Sequence, residues 1–179
     1  MNNDTKNISK FLSLVLRHAP ESIKLSLDSN GWANVDELLK QCNAFQKKLD
    51  FETLEHVVET NDKKRFAFNE DKTKIRASQG HSVTVDLDIK PVTPPEVLFH
   101  GTVEKFLEPI KKEGLQKMSR QHVHLSKDIE TATKVASRRG KPVILNIETQ
   151  RMVQDGYLFY CSENGVWLTE EVPVEYIKF

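Results

Sequence analysis

Three features are absent from this sequence, and each absence excludes a class of protein. No apolar run approaches the roughly 20 residues that a membrane-spanning helix needs, and 29% of the 179 residues are charged. The N-terminus reads MNNDTK and has neither the basic start nor the apolar core of a secretory signal. Lys plus Arg and Asp plus Glu balance at 26 each, so affinity for a polyanion has to come from local clusters. We therefore expect a soluble, cytoplasmic protein with no membrane partner.

Cysteine is scarce, which limits the disulfide and metal chemistry of the chain. Its two cysteines, Cys42 and Cys161, lie far apart in the sequence. This spacing argues against a disulfide framework and a cysteine-based zinc site. His122 and His124 form a His-X-His pair on one face of a predicted strand, a pattern that can bind zinc. No spacing nominates a third ligand, so we predict no metal, and a hydrogen-bonding or core role for the pair stays open.

Apolar spacing in the first half predicts three helices followed by a hairpin. The first helix ends near Arg17 and His18, and Asn34 is a candidate N-cap for the second. A third helix is predicted over residues 50–60. Apolar and polar residues alternate on either side of a turn within residues 65–78, which predicts a β-hairpin. Helices followed by a hairpin are the order of a winged helix, a module that binds nucleic acid or protein.

Three prolines, Pro91, Pro94 and Pro95, mark the predicted boundary between two domains, residues 1–90 and 91–179. Beyond it, short apolar runs predict strands at 97–99, 122–125, 143–145, 157–159 and 176–177. Helices are predicted at roughly 103–112 and 127–138. The second half is therefore predicted to be α+β and rich in strands.

Basic residues stand at the ends of predicted elements, where a structural and a functional interpretation are both open. Arg17 and His18 end the first helix, where the helix dipole stabilises cations. Arg65 opens the hairpin, where a lone charge is commonly a solvated edge residue. Arg138 and Arg139 precede a glycine, a pattern that is also typical of a helix C-terminus.

A short polar motif, His100-Gly101-Thr102, falls where a predicted strand gives way to a helix. Backbone amides and a hydroxyl at such a junction suit a ribose or a phosphate. A simple helix N-cap by Thr102 is the alternative.

Taken together, the motifs resemble the RNA 2′-phosphotransferase family over nearly the whole chain. In the first half the matching segments are Leu16-Arg17-His18, Asp28-Ser29-Asn30-Gly31-Trp32, Asn61-Asp62-Lys63-Lys64-Arg65-Phe66 and Ile75-Arg76-Ala77-Ser78-Gln79-Gly80-His81-Ser82. In the second half they are Leu98-Phe99-His100-Gly101-Thr102, Gly114-Leu115 with Met118 and Arg120, His122-Val123-His124-Leu125-Ser126, Gly140-Lys141-Pro142-Val143 and Asn164-Gly165-Val166-Trp167-Leu168. The resemblance implies an α+β fold with an N-terminal winged helix joined to a C-terminal ADP-ribosyltransferase-like domain.

The resemblance also implies a reaction, the NAD-dependent removal of an internal 2′-phosphate from RNA such as spliced tRNA. The phosphate attacks C1″ of the NAD+ ribose, nicotinamide leaves, and RNA-2′-phospho-ADP-ribose forms. The O2″ hydroxyl then attacks phosphorus, which releases 2′-OH RNA and ADP-ribose 1″,2″-cyclic phosphate. NAD is thus implied as a consumed co-substrate. The first step needs a held geometry, and the second needs cations around the phosphoryl group.

In the family a tetrad of Arg, His, Arg and Arg serves this chemistry, and the matching catalytic positions are Arg17, His18, Arg65 and Arg138. Guanidinium groups donate paired hydrogen bonds to phosphate and stay charged. His18 is assigned to proton transfer or phosphate contact in the second step. The tetrad draws on both halves, so the resemblance implies a catalytic cleft between the domains. Arg139 remains the alternative to Arg138.

The resemblance assigns the binding of both substrates as well. For NAD it points to His100, Gly101, Thr102, Arg120, His124 and Ser126. Val166 stands where related ADP-ribosyltransferases often carry a Glu, and this fits a nucleophile that is already charged. Arg76 and Gln79 are expected to contact RNA or its phosphate, with strand packing and turn formation as alternatives.

Two other functions remain open. A winged helix fused to a non-catalytic sensor of NAD or ADP-ribose would bind without turnover. An ADP-ribosyltransferase that modifies 5′-phosphate ends of nucleic acid, or protein, would offer the same NAD to another acceptor. We expect the chain to act as a monomer in tRNA splicing or RNA repair.

Overall fold

The computed structural model describes residues 3–179 and shows a mixed α/β fold. Those residues form six α-helices and several small antiparallel sheets. The chain divides into two units, which meet between Asp88 and Ile89. Met1 and Asn2, which the predicted N-terminal domain includes, lie outside the described residues. No helix within residues 3–179 has the length and apolar character needed to cross a bilayer.

The first unit contains three α-helices and one three-stranded sheet. In chain order its elements are α1 (Asn3–Arg17), a 3₁₀ helix (Pro20–Ile23), β1 (Ala33–Asn34), α2 (Val35–Ala44), α3 (Phe51–Glu59), β2 (Phe66–Phe68) and β3 (Lys74–Ala77). The strands pair antiparallel in the order β1-β3-β2. The three predicted helices and the predicted hairpin are therefore confirmed.

Side-chain caps and one buried face explain why these helices form. The Asn34 side chain accepts a hydrogen bond from the amide of Glu37 at 2.9 Å, and Asp50 accepts from the amide of Thr53 at 2.8 Å. Each cap of this kind contributes about 1 kcal/mol. The apolar faces share one core, whose fully buried members include Leu12, Leu16, Leu38, Leu54 and Ile75.

The second unit is richer in strands. In chain order its elements are β4 (Leu98–Val103), a 3₁₀ helix (Glu104–Phe106), α4 (Leu107–Glu113), β5 (Leu115–Gln116), β6 (Val123–Leu125), α5 (Ile129–Ala136), β7 (Pro142–Ile147), α6 (Thr149–Gln154), β8 (Phe159–Cys161), β9 (Trp167–Thr169), β10 (Glu171–Val172), a 3₁₀ helix (Val174–Tyr176) and β11 (Ile177–Lys178). The strands pair antiparallel in the orders β11-β7-β4, β6-β9-β8 and β10-β5.

The strand predicted at 157–159 is shifted, since β8 covers Phe159–Cys161. Two further predicted boundaries in this unit are wrong, and both concern site residues. His100, Gly101 and Thr102 were expected where a strand gives way to a helix, but β4 continues to Val103 because it pairs with β7 along its whole length. Thr102 is therefore not a helix N-cap. The helix predicted over 127–138 ends at Ala136, so Arg138 lies in the turn that follows.

After β3 the chain crosses the C-terminal end of α1. The amides of Ser82 and Val83 donate to the carbonyl of Arg17 at 2.9 and 3.3 Å. His81, the residue before Ser82, packs its side chain near the Gly31 turn. This side chain is only 1% exposed. A Cβ at position 31 would lie 3.3 Å from its Nε2, and Gly31 has a φ of +79°, so glycine suits this turn on both counts.

The His81 ring is held in its neutral form. Neither ring nitrogen has a hydrogen-bond partner among the described residues. Burial, reinforced by the charges of Arg17, His18 and Arg76, lowers the pKa of His81 to about 4 from an ordinary 6.5. A proton on this ring therefore destabilises the folded state.

This predicts a specific loss of stability in acid. Between pH 6.5 and about 4 the unfolded chain takes up a proton that folded His81 does not, so the free energy of unfolding falls as the pH falls. The free energy of unfolding should fall by about 3 kcal/mol in total once the pH is below 4. We expect His81→Leu to lose this part of the pH dependence in urea unfolding, because an apolar side chain has no proton to gain. Equal acid sensitivity of the variant and the parent would contradict the prediction.

Candidate functional site

The outer face of the hairpin in the first unit carries two of the predicted arginines. Phe66 pairs with Ala77 and Ala67 pairs with Arg76. Because side chains alternate along a strand, Phe66 and Ala77 face the core, where both are buried. Arg65 and Arg76 therefore project from the opposite face, and each is half-buried.

Arg76 is positioned by an aromatic neighbour. Its guanidinium carbon lies 4.4 Å from the centre of the Trp32 ring, within the range of a cation–π interaction. Trp32 is itself fixed by the turn before β1, where its amide donates to Asp28 Oδ1 at 2.9 Å. The stacking holds the guanidinium in one place, which suits recognition of a phosphate.

Arg17 and His18 end α1 and meet the segment that follows β3. An Arg17 guanidinium nitrogen, Nη2, lies 3.5 Å from Gln79 Oε1. His18 Nδ1 lies 2.9 Å from Ser82 Oγ. The structure thus brings the predicted tetrad residues Arg17 and His18 together with the predicted RNA-binding residue Gln79. Arg76 belongs to the same neighbourhood, since its charge, like those of Arg17 and His18, acts on His81.

Arg65 is placed by its backbone at the start of the hairpin. Its amide donates to Asn61 Oδ1 at 3.3 Å, and its carbonyl accepts from the amide of Ser78 at 2.8 Å. Asn61 is buried and also donates to Ser9 Oγ of α1 at 3.0 Å. The first unit therefore presents three cationic side chains, those of Arg17, Arg65 and Arg76. The helix and the hairpin that carry them are linked by hydrogen bonds.

In the second unit, His100 and His124 are linked through a backbone carbonyl. His100 Nδ1 lies 3.0 Å from the carbonyl oxygen of His124. A carbonyl only accepts, so Nδ1 carries the proton and Nε2 is the acceptor of the neutral ring. Burial is the main cause that lowers the pKa of His100, and the hydrogen bond to His124 opposes it. His100 is therefore a neutral hydrogen-bonding group.

Arg120 contacts the side chain of His124 directly. Its Nη1 lies 3.4 Å from His124 Nδ1, and since a guanidinium only donates, Nδ1 is the acceptor. Desolvation, together with the charge of Arg139, lowers the pKa of Arg120. The charges of Arg139 and Arg120 also contribute to the lowered pKa of His100. These groups form a region where an anion would relieve repulsion between cations.

Arg138 and Arg139 both lie in the exposed turn after α5. Of the two, Arg139 acts electrostatically on Arg120 and His100. In the sequence Arg139 was only the alternative to Arg138. In the structure its charge acts on two predicted NAD-binding residues, so it is a candidate in its own right.

The contacts of β4 determine the positions of the other predicted NAD-binding residues, Gly101, Thr102 and Ser126. A Cβ on Gly101 would lie 2.0 Å from the carbonyl oxygen of Ala132, so the glycine is explained by the close approach of α5. Thr102 is only 6% exposed. Ser126 exchanges backbone hydrogen bonds with Phe99 at 2.7 and 2.8 Å, which places it beside His100.

His122 lies near the same sheet but contacts other groups. Its ring centre is 5.7 Å from that of Tyr160, and burial lowers its pKa. Within residues 3–179, no three or more His, Cys, Asp or Glu side chains gather in a way that could hold a metal ion. The contact with Tyr160 gives His122 an aromatic packing role.

No role was predicted for Ser82, and His81 was grouped with Arg76 and Gln79 beyond the hairpin turn without being assigned a contact with RNA. Both stand in the matched segment after the hairpin, so their position along the chain was visible. Their neighbours were not, because hydrophobic periodicity says nothing about which loop crosses the end of a distant helix.

Comparison with known proteins gives one consistent result. The family model described as "RNA 2'-phosphotransferase, Tpt1 / KptA family" matches residues 3–171. A Flavobacterium johnsoniae protein named "Probable RNA 2'-phosphotransferase" is 64% identical over 177 residues, which cover 99% of this chain and 97% of that protein. Proteins with the same name from Fusobacterium nucleatum and Burkholderia pseudomallei are each 58% identical, over 100% and 96% of this chain and 100% and 93% of their own lengths.

These matches span nearly the whole chain, and they confirm the resemblance predicted from its motifs. This protein belongs to the RNA 2′-phosphotransferase family, the Tpt1 / KptA family.

Proposed function

We propose that this chain removes an internal 2′-phosphate from RNA in an NAD-dependent reaction that passes through RNA-2′-phospho-ADP-ribose. Spliced tRNA is the model substrate, and 2′-OH RNA, nicotinamide and ADP-ribose 1″,2″-cyclic phosphate are the products. The observation that carries the proposal is the meeting of Arg17, His18 and Gln79 at the end of α1, in a chain of this family.

The architecture supports this proposal. The order α1, β1, α2, α3, β2, β3 with an antiparallel β1-β3-β2 sheet fits the proposed winged helix, a fold that places basic side chains against nucleic acid. We therefore assign RNA binding to residues 1–90. We assign NAD binding to residues 91–179, as an ADP-ribosyltransferase-like domain.

In the first unit, cationic and hydrogen-bonding groups fit a phosphate dianion. Arg17 and Arg65 provide guanidinium groups that donate paired hydrogen bonds to phosphate oxygens. His18 is exposed, and histidine is the residue type commonly used for proton transfer near neutral pH. We assign it to the phosphate-transfer step. Arg138, in the second unit, is the fourth member of the proposed tetrad.

The donor set of the second unit fits NAD. Arg120 and Arg139 offer positive charge to a pyrophosphate. The neutral ring of His100, together with His124 and Ser126, offers hydrogen bonds to a ribose or an amide. When bound, NAD+ supplies the electrophilic ribose carbon and the nicotinamide leaving group. The assignment of Gly101 and Thr102 extends only to backbone contacts, and the proposal involves no metal ion.

The direct test incubates the protein with NAD+ and a short RNA that carries one internal 2′-phosphate. We expect 2′-OH RNA and free nicotinamide in equal amounts, because each turnover consumes one NAD+. A matched RNA with only a 5′-phosphate should release no nicotinamide. Nicotinamide release with the 5′-phosphorylated RNA alone would favour an end-modifying ADP-ribosyltransferase. Binding of both ligands without any release would favour a non-catalytic sensor.

A second prediction separates Arg138 from Arg139. Loss of one donor that stabilises a transition state costs roughly 10²- to 10³-fold in kcat, so Arg138→Ala should slow turnover and accumulate the phospho-ADP-ribosylated RNA. Arg139→Ala should instead raise the KM for NAD+ roughly tenfold, the cost of a charged hydrogen bond.

The matched control for this pair is Lys134→Ala, near the C-terminal end of α5. Lys134 is exposed and pairs with Glu130, and such surface pairs contribute little. We expect unchanged kcat and KM for this variant. Unimpaired turnover by Arg138→Ala would remove that residue from the proposed tetrad.

A third prediction concerns Arg76. If it contacts an RNA phosphate, Arg76→Ala should weaken binding of the 2′-phosphorylated RNA roughly fivefold to tenfold. It should also reduce the slope of log K against log salt by about 1, because one fewer counterion is released. Lys72→Ala, which removes a charge paired with Glu55 at the hairpin turn, serves as the control. An unchanged salt slope for Arg76→Ala would leave the arginine with its packing role on Trp32.

A further inference from the structure

The segment that follows β3 supplies a hydroxyl to the one titratable member of the proposed tetrad. His18 Nδ1 lies 2.9 Å from Ser82 Oγ, and both side chains are exposed. A hydrogen bond between exposed side chains is a weak constraint unless both backbones are already fixed.

Both backbones are fixed here, and to the same helix end. The amides of His18 and Ala19 donate to the carbonyl of Leu14 at 2.9 Å, which holds His18 on the last turn of α1. The amide of Ser82 donates to the carbonyl of Arg17 at 2.9 Å. The hydroxyl of Ser82 is therefore held beside the His18 ring by main-chain bonds, and the side-chain bond between them costs little further ordering.

We propose that Ser82 is a positioning residue that holds the His18 ring through Nδ1, so that the ring meets the RNA 2′-phosphate through Nε2. The inference rests on the proposed function, because it assigns the atom of His18 that acts on the phosphate.

A hydroxyl suits this position better than a carboxylate would. Serine both donates and accepts, so it bonds to Nδ1 whether the ring is neutral or protonated. A carboxylate would favour the protonated ring and raise its pKa. Ser82 therefore keeps the ring orientation through a proton transfer at Nε2 without fixing the charge of His18.

The first test is spectroscopic and does not depend on activity. Multiple-bond ¹H–¹⁵N spectra of the parent chain and of Ser82→Ala report the two ring nitrogens of His18. We expect Ser82→Ala to shift the Nδ1 signal, and Ser82→Thr, which keeps the hydroxyl, to restore it. Thr84→Ala, which removes an exposed hydroxyl two residues along the same segment, should leave both nitrogens unchanged. Parental His18 signals in Ser82→Ala would overturn the proposal.

The same spectra show which nitrogen meets the phosphate. Addition of a 2′-phosphorylated trinucleotide without NAD+ should perturb Nε2 more than Nδ1 in the parent chain. A larger change at Nδ1 than at Nε2 would overturn the proposed orientation.

Kinetics with NAD+ and the 2′-phosphorylated RNA provide the functional readout. Ser82→Ala should lower kcat roughly tenfold, as expected for loss of one hydrogen bond, while the KM for NAD+ stays within about twofold. Ser82→Thr should recover most of the loss. If the parent is active and Ser82→Ala has the same kcat, the role of Ser82 is refuted and the proposed function is not. An inactive parent would refute the proposed function, and the two spectroscopic comparisons would still decide the Ser82–His18 contact and the nitrogen that meets the phosphate.

Discussion

The carbonyl group at the end of α1 is the point on which the first unit depends. The last carbonyls of a helix have no partner within the helix, and a buried one without a partner is costly. Here the amides of Ser82 and Val83 satisfy the carbonyl of Arg17. A segment that lies 64 positions beyond His18 in the sequence therefore completes α1, and the same contact delivers Gln79 and Ser82 to the side chains of Arg17 and His18. The same segment therefore caps the helix and brings the side chains of the site together.

The second unit meets a different constraint, the close approach of α5 to β4. Gly101 permits that approach because any side chain would collide with the carbonyl of Ala132. The turn after α5 then carries Arg139 to where its charge acts on His100 and Arg120. Gly101 was first assigned to NAD contact, but helix packing explains why this residue is a glycine. Its effect on the site is therefore indirect. The turn residues supply the charge, and the glycine permits the packing.

Much of the first unit could be predicted from sequence because its signals are local. Asn34 and Asp50 are strong caps, and apolar spacing identified α1, α2 and α3. The second unit was harder, since two-residue strands such as β5 and β10 carry no periodicity and α6 is a single short helix. Strand β4 was predicted too short because its length is set by pairing with β7, whose partner residues lie 39 to 49 positions further along the chain.

The residues of the site follow the same division between local and distant information. The types that suit phosphate chemistry, arginine and histidine, were visible in the motifs. Their partners were not, because Ser82 meets His18 only through tertiary structure. Arg138 and Arg139 show the limit most clearly. Within a helix, adjacent residues point about 100° apart, but α5 ends at Ala136 and both arginines lie in an irregular turn. No sequence period determines their directions there. The charge of Arg139 on Arg120 therefore became visible only with the fold, and two adjacent arginines that look interchangeable in the sequence have different surroundings.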